Sequence, residues 1–141
     1  MAKKTDNLDQ FYNAKGAQAI RESYENWASG YDAENIGNGF RLPSIGAAFV
    51  ARYVPNDQGP ILDAGCGTGL VGEALVILGY ENIVGLDISP AMLKLAERLA
   101  IYDRLYEQDL GQPIPETDNS FAAVTCFGSL GPGHAPAACL D

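Results

Sequence analysis

Between Tyr53 and Leu93, and again after Arg104, the sequence has no lysine or arginine. Its nine basic residues face 18 acidic ones, for a net charge of −9. A phosphate-rich partner would find no basic surface, so the expectation is that no nucleic acid is bound. Histidine occurs once, as His134, and three cysteines stand at 66, 126 and 139 without Cys-x-x-Cys spacing. No metal framework follows from that set, and the thiols are expected to be reduced, in a cytoplasmic protein. No apolar run is long enough to span a membrane, and none follows Lys3 and Lys4, so neither a membrane partner nor a secretory signal is expected. The first residues are expected to fray. A phosphate-binding P-loop is excluded, because no Gly-Lys-Ser/Thr follows any glycine-rich stretch.

What is present is a glycine turn. Residues Ile61-Leu62-Asp63-Ala64-Gly65-Cys66-Gly67-Thr68-Gly69 run from an apolar stretch through an acid into three alternating glycines, and an amphipathic stretch begins at Leu70. A strand feeding a helix through such a turn brings backbone N–H groups up to a ligand, with glycine where a Cβ would collide. The expectation is a small, nucleoside-like ligand at the carboxyl end of the first strand. With 141 residues, 47% hydrophobic and 19% charged, the chain has the size and composition of one globular domain.

Ahead of that turn, residues 17–28 put Ala17, Ile20, Tyr24, Trp27 and Ala28 on one helical face, and Ser29-Gly30 breaks the helix. Asn35 to Gly39 reads as a flexible loop. Pro43 suits the first turn of a second helix, with Leu42, Ile45, Phe49 and Tyr53 on one side. From Pro60 strands and helices alternate: a strand at 60–64, a helix at 69–79, and a strand at 82–88. A helix follows, opened by Ser89-Pro90 and carrying Met92, Leu93, Ala96 and Leu99, and then strands near 105–109 and 121–127. The first helix directs Leu70, Val71, Ala74, Leu75 and Leu78 inward. Such alternation predicts a parallel sheet that binds ligands at its carboxyl ends.

Asp63, Asp87 and Asp109 are read as ending three successive strands, side by side on one rim. Asp87 comes about 20 residues after the turn, the separation at which an acid reaches ribose hydroxyls. Asp109 lies one strand further out, where its carboxylate and the N–H of Leu110 could meet an adenine edge.

These pieces together resemble the class I S-adenosylmethionine-dependent methyltransferases over roughly residues 24–141. The resemblance rests on Asp63-x-Gly65-x-Gly67-x-Gly69, Gly85-Leu86-Asp87-Ile88-Ser89-Pro90-x-Met92-Leu93, Gln108-Asp109-Leu110 and Asp118-Asn119-Ser120-Phe121. Tyr24-Glu25-Asn26-Trp27 and Tyr31-Asp32 look like the lid of the small-molecule branch. The family implies an α/β, Rossmann-like parallel sheet with helices on both faces and an N-terminal helical cap. The cap would take residues 1–55 and the core 56–141. It also implies S-adenosylmethionine as cofactor, S-adenosylhomocysteine as product and a small-molecule acceptor. By position, Gly65, Cys66 and Gly67 would border the methionine portion, with Asp63 near its amino group. Asp87 would hold the ribose, Ile88 and Met92 would pack on the adenine, and Asp109 and Leu110 would read its edge. Phe127 and Gly128 would border the sulfonium. Tyr24 and Trp27 are read equally as core or lid, Tyr31 more as lid, and His134 as either a surface or a substrate-facing residue. No catalytic base is assigned, since in-line transfer from a sulfonium can rest on positioning.

Two departures stand out: Ala122 where an acid often follows the phenylalanine of strand four, and an end at Asp141 where the family continues. The second reads as a fragment or a truncation, with a cofactor-binding remnant as the alternative function. It also leaves 121–127 as an apolar edge that a homodimer could cover. A nicotinamide-dependent oxidoreductase is the other rival, because Gly67-Thr68-Gly69-Leu70-Val71-Gly72 satisfies G-x-G-x-x-G. Those glycines begin two residues late, and Asp63 would repel a pyrophosphate.

Overall fold

The apolar runs around the glycine turn form one sheet. The computed structural model describes residues 18–19, 21–23, 30–131 and 134–140. Its strands are β1 (Ile61–Ala64), β2 (Ile83–Asp87), β3 (Arg104–Glu107) and β4 (Ala123–Thr125), paired in parallel in the order β3-β2-β1-β4. Every residue of β1 and β2 is buried, as expected for central strands covered on both sides. Ile61 aligns with Ile83 and with Ala123, and Asp63 with Gly85 and with Thr125. The strand order reverses at β1, so the crevice between the carboxyl ends of β1 and β4 is the place where such sheets bind ligands.

Among the described residues, besides the helical residues 18, 19 and 21–23, the strands are accompanied by α1 (Tyr31–Gly37), α2 (Leu42–Tyr53), α3 (Leu70–Ile77) and α4 (Pro90–Glu97). One face of the sheet, carrying Ile61 and Ile83, packs against Ala47 of α2 and Val71 and Leu75 of α3. The segment after α4 joins that layer, since Leu99 and Tyr102 lie against Gly69. The opposite face, with Leu62, Ala64, Val84 and Leu86, packs against Tyr106, Leu110, Ile114 and Phe121 and against Cys126. Among the described residues this second face carries no α-helix, so its cover is thinner than the helical layers expected there. A single 3-10 turn, Ala137–Leu140, accompanies the chain after β4.

Local chemistry accounts for the helix ends. Ser89 caps α4 by accepting from the Met92 N–H at 3.3 Å, with Pro90 in the first turn. The Tyr80 hydroxyl donates to the Val54 carbonyl and so fastens the end of α2 to the core.

Three readings of the helices need correction. Asn35 to Gly37 is not loop but the second half of α1, where Asp32 and Glu34 in the first turn favour the helix dipole. The break comes at Gly39, with φ +82°. Ile45, Phe49 and Tyr53 share a side of α2, yet that side is exposed, and the helix buries Pro43, Gly46 and Ala47 instead. Small residues win there because Gly46 lies against the Phe127 ring, where a Cβ would come within 2.2 Å. Leu78 is likewise exposed, having passed the end of α3. The reading of 17–28 falls mostly outside the described residues, of which 18, 19 and 21–23 are helical.

Candidate functional site

Gly65 and Gly67 carry the turn after β1 at φ +74° and +55°, values a side chain resists. At Gly65 a Cβ would also strike the Ser129 hydroxyl, at 2.0 Å. At Gly67 a Cβ would meet no protein atom within 4 Å, so the glycine opens space on the cleft side.

Four of the five N–H groups of the turn are already engaged within the protein. Gly65 N and Cys66 N both donate to the Leu86 carbonyl, at 2.8 and 2.9 Å, and Gly69 N donates to the Cys66 carbonyl at 3.0 Å. Gly67 N donates to Asp87 Oδ2 at 2.9 Å. These four donors are consumed inside the protein.

Asp87 is oriented from two sides. Besides Gly67, the Ser89 N–H donates to Oδ1 at 2.9 Å, which leaves each oxygen a further lone pair. Burial pushes its carboxyl above the ordinary range, opposed by those backbone donors. The cleft it enters is lined by the turn, by Tyr31 and Phe40 at the two ends of α1, by Pro43, and by Phe127 to Ser129 after β4. Of the residues expected at a ligand, Tyr31, Gly65, Cys66, Gly67, Asp87 and Phe127 therefore meet in one cleft. Burial raises the Cys66 thiol strongly, so it stays protonated and acts as a small filler.

Other expected residues lie elsewhere. Asp63 is 1% exposed and faces the helical layer, not the cleft. Its carboxylate accepts from the Tyr102 hydroxyl at 2.8 Å and from Thr125 Oγ1 at 3.0 Å. Burial pushes that carboxyl up to about 6, against the pull of those two hydroxyls. Met92 is fully buried. Ile88 is half-buried and lies outside the cleft lining. Asp109 does not end β3: the strand stops at Glu107, aligned with Asp87, and that acid pairs with Arg21 at 2.6 Å. Asp109 instead accepts from the Gly111 N–H at 2.8 Å within a turn. Leu110 packs on the second face of the sheet. Tyr24 lies outside the described residues.

Tyr102 was not found from the sequence. Its ring sits in a slot made by Gly69, Gly72 and Gly85, where a Cβ at Gly72 would come within 2.4 Å of the hydroxyl. Gly72, which completes G-x-G-x-x-G, thus serves this ring and not a pyrophosphate. Ser129 and Pro43 also went unread, since nothing local marks them as neighbours of the turn.

Residues 61–139 match a family described as a methyltransferase domain. The chain is 36% identical over 116 residues to human methyltransferase-like protein 27, covering 80% of this chain and 47% of that protein. It is 41% identical over 70 residues to the 18S rRNA (guanine(1575)-N(7))-methyltransferase of Saccharomyces cerevisiae, covering 50% of this chain and 26% of that one. Among solved structures it resembles CalS10 of Micromonospora echinaspora, an amino pentose methyltransferase with S-adenosylmethionine bound. That match has a TM-score of 0.56 and 35% identity, over 70% of this chain and 42% of that one. The chain thus spans less than half the length of each of these three. The expectation that nucleic acid is excluded does not stand, because a relative acts on 18S rRNA. The inference from charge fails because an acidic rim concerns the ligand in the cleft, not the acceptor that approaches it. Among the described residues no helix is long and apolar enough to cross a membrane.

Proposed function

The chain belongs to the class I S-adenosylmethionine-dependent methyltransferases, and on that premise we propose that its β1/β4 cleft binds S-adenosylmethionine. We propose further that the whole protein methylates a small-molecule acceptor. The observation that carries the cofactor reading is the consumption of the turn's donors. A cleft whose turn spends four of its five N–H groups inside the protein, and which presents the buried Asp87 carboxylate, disfavours phosphate and suits a ligand with a sulfonium and an ammonium. The open space beside Gly67 is where a side chain would obstruct such a ligand. The residues present fit the cofactor.

Bound S-adenosylmethionine supplies a methyl group on a positively charged sulfur, which an acceptor nucleophile displaces in line. The chain's own residues bind and orient. Asp87, with its spare lone pairs, would accept from the two ribose hydroxyls, held in place by Gly67 and Ser89. The carbonyl oxygens of the turn would receive the ammonium. Tyr31 and Phe127 would shield the sulfonium from water, since both line the cleft. Asp63 would act from beneath, holding β1 to β4 and to Tyr102. Ile88 and Met92 would pack on the adenine, and Asp109 and Leu110 would read its edge. The three free cysteines accord with a reducing, cytoplasmic setting.

A small-molecule acceptor is supported by the resemblance to an amino pentose methyltransferase. An RNA acceptor is the second reading, favoured by the 18S rRNA relative. Calorimetry with S-adenosylmethionine, S-adenosylhomocysteine and NAD tests the cofactor. Adenosyl ligands should bind and NAD should not; tighter NAD binding overturns the reading. Methyl transfer by the full-length protein to amino sugars or to an rRNA fragment separates the two acceptors.

A further inference from the structure

We propose that Asp32 and Thr68 form a latch that holds Tyr31 over the cofactor cleft, making both of them positioning residues for the bound cofactor. The inference rests on the cofactor reading above and adds what keeps the ligand in place. Thr68 sits between Gly67 and Gly69, is 4% exposed, and donates through Oγ1 to Asp32 Oδ1 at 2.5 Å. The two residues are 36 positions apart, so the bond ties α1 directly to the glycine turn. Tyr31, next to Asp32, and Phe40, just past α1, both line the cleft.

The leverage of this bond comes from the weakness of the helix it holds. The α1 helix has seven residues, none of them buried, and Gly30 at its N-terminus offers no side-chain cap. A helix that short does not persist by itself, so its ties to the rest of the fold decide whether it forms. A charge-assisted hydrogen bond at its first turn therefore weighs heavily in whether α1 stays over the cleft. Thr68 could serve as a mere loop filler and Asp32 as a first-turn acid on the helix dipole. Neither role requires the two to meet across 36 residues.

The consequence is kinetic. Breaking the latch should loosen the seat of α1 over the cleft and let the cofactor leave faster, while entry changes little. The test is the dissociation of S-adenosylhomocysteine, followed by stopped flow. Asp32→Ala is expected to speed release by about tenfold. Thr68→Val, which keeps the buried shape, should do the same, and the double variant should be no faster than either single one. Asp32→Asn retains an oxygen acceptor and should restore release to within about threefold of wild type. Thermal midpoints without ligand should move little in Thr68→Val. Release at the wild-type rate in both single variants overturns the latch, and so do effects that simply add. A fall in the ligand-free midpoint of Thr68→Val that accounts for its weaker binding also overturns it. If the wild-type chain binds no adenosyl ligand at all, the cofactor reading itself falls and takes the latch with it.

Discussion

Asp63 and Asp87 look alike in the sequence, each closing an apolar run, yet they do different work. Height in the sheet decides it: Asp63 pairs with Gly85 inside the sheet and lies under the helical layer, while Asp87, two residues further along the same face, ends β2 beside the turn. The spacing from the turn to Asp87 was legible because it is a local count. The fate of Asp63 was not, since it depends on Thr125 and Tyr102, which are distant in the chain. Asp87→Ala should weaken S-adenosylhomocysteine binding by about tenfold or more, because two ribose hydroxyls lose a charged acceptor and the Gly67 N–H loses its partner. Calorimetry measures it. A change below about threefold would assign the ribose to another group.

At the scale of elements, strands and helices from Pro60 onward were readable because periodicity and the Ser89-Pro90 cap are local signals. The short α1 was not, because Asn and Gly punctuation outweighs seven residues of helix pattern, and the Asp32 to Thr68 tie is invisible in sequence. The Tyr102 slot shows the same limit: it needs glycines from α3, β2 and the turn before either element can be placed. A mutational pair tests that slot. Gly72→Ala improves helix propensity by about 1 kcal/mol. The Tyr102 hydroxyl stands 2.4 Å from the new Cβ, and the ring cannot retreat past Gly69 and Gly85. Overpacking costs roughly 1–3 kcal/mol, so the net should be a loss of up to about 2 kcal/mol. Tyr102→Phe removes the nearer of two clashing atoms, leaving Cζ at 2.6 Å, and also removes a donor to Asp63. The double variant should therefore be less destabilised than the sum of the two, read by urea denaturation. Strict additivity would mean that α3 shifts away from the ring instead.

For the whole molecule, charge and burial act in the same direction as pH changes. The net charge of −9 opposes the folded state through self-repulsion above neutral pH. Asp63 adds a specific contribution of the same sign. Its folded-state value of about 6 lies above the ordinary 3.8, because burial disfavours the ionised form more than its hydroxyl partners restore it. A raised carboxyl stabilises the fold fully below its unfolded value and loses that contribution as pH rises through the folded one. The window is therefore about pH 4 to 7, and between pH 5 and 8 the loss is about 1.4 kcal/mol. For a domain of this size that lowers the thermal midpoint by roughly 2–5 °C. Asp87, raised in the same direction, reinforces it. The midpoint should thus fall from pH 5 to pH 8 in low salt. Added salt should recover the part due to net charge but not the part due to Asp63, which is shielded from solvent. Asp63→Asn should flatten the residual slope at high salt, although its amide cannot accept from both Tyr102 and Thr125 and will cost stability at every pH. Scanning calorimetry of the two proteins at pH 5 and 8 separates these contributions. A variant whose high-salt midpoint falls as steeply as wild type would show that Asp63 ionises at an ordinary pH and that another buried group sets the slope.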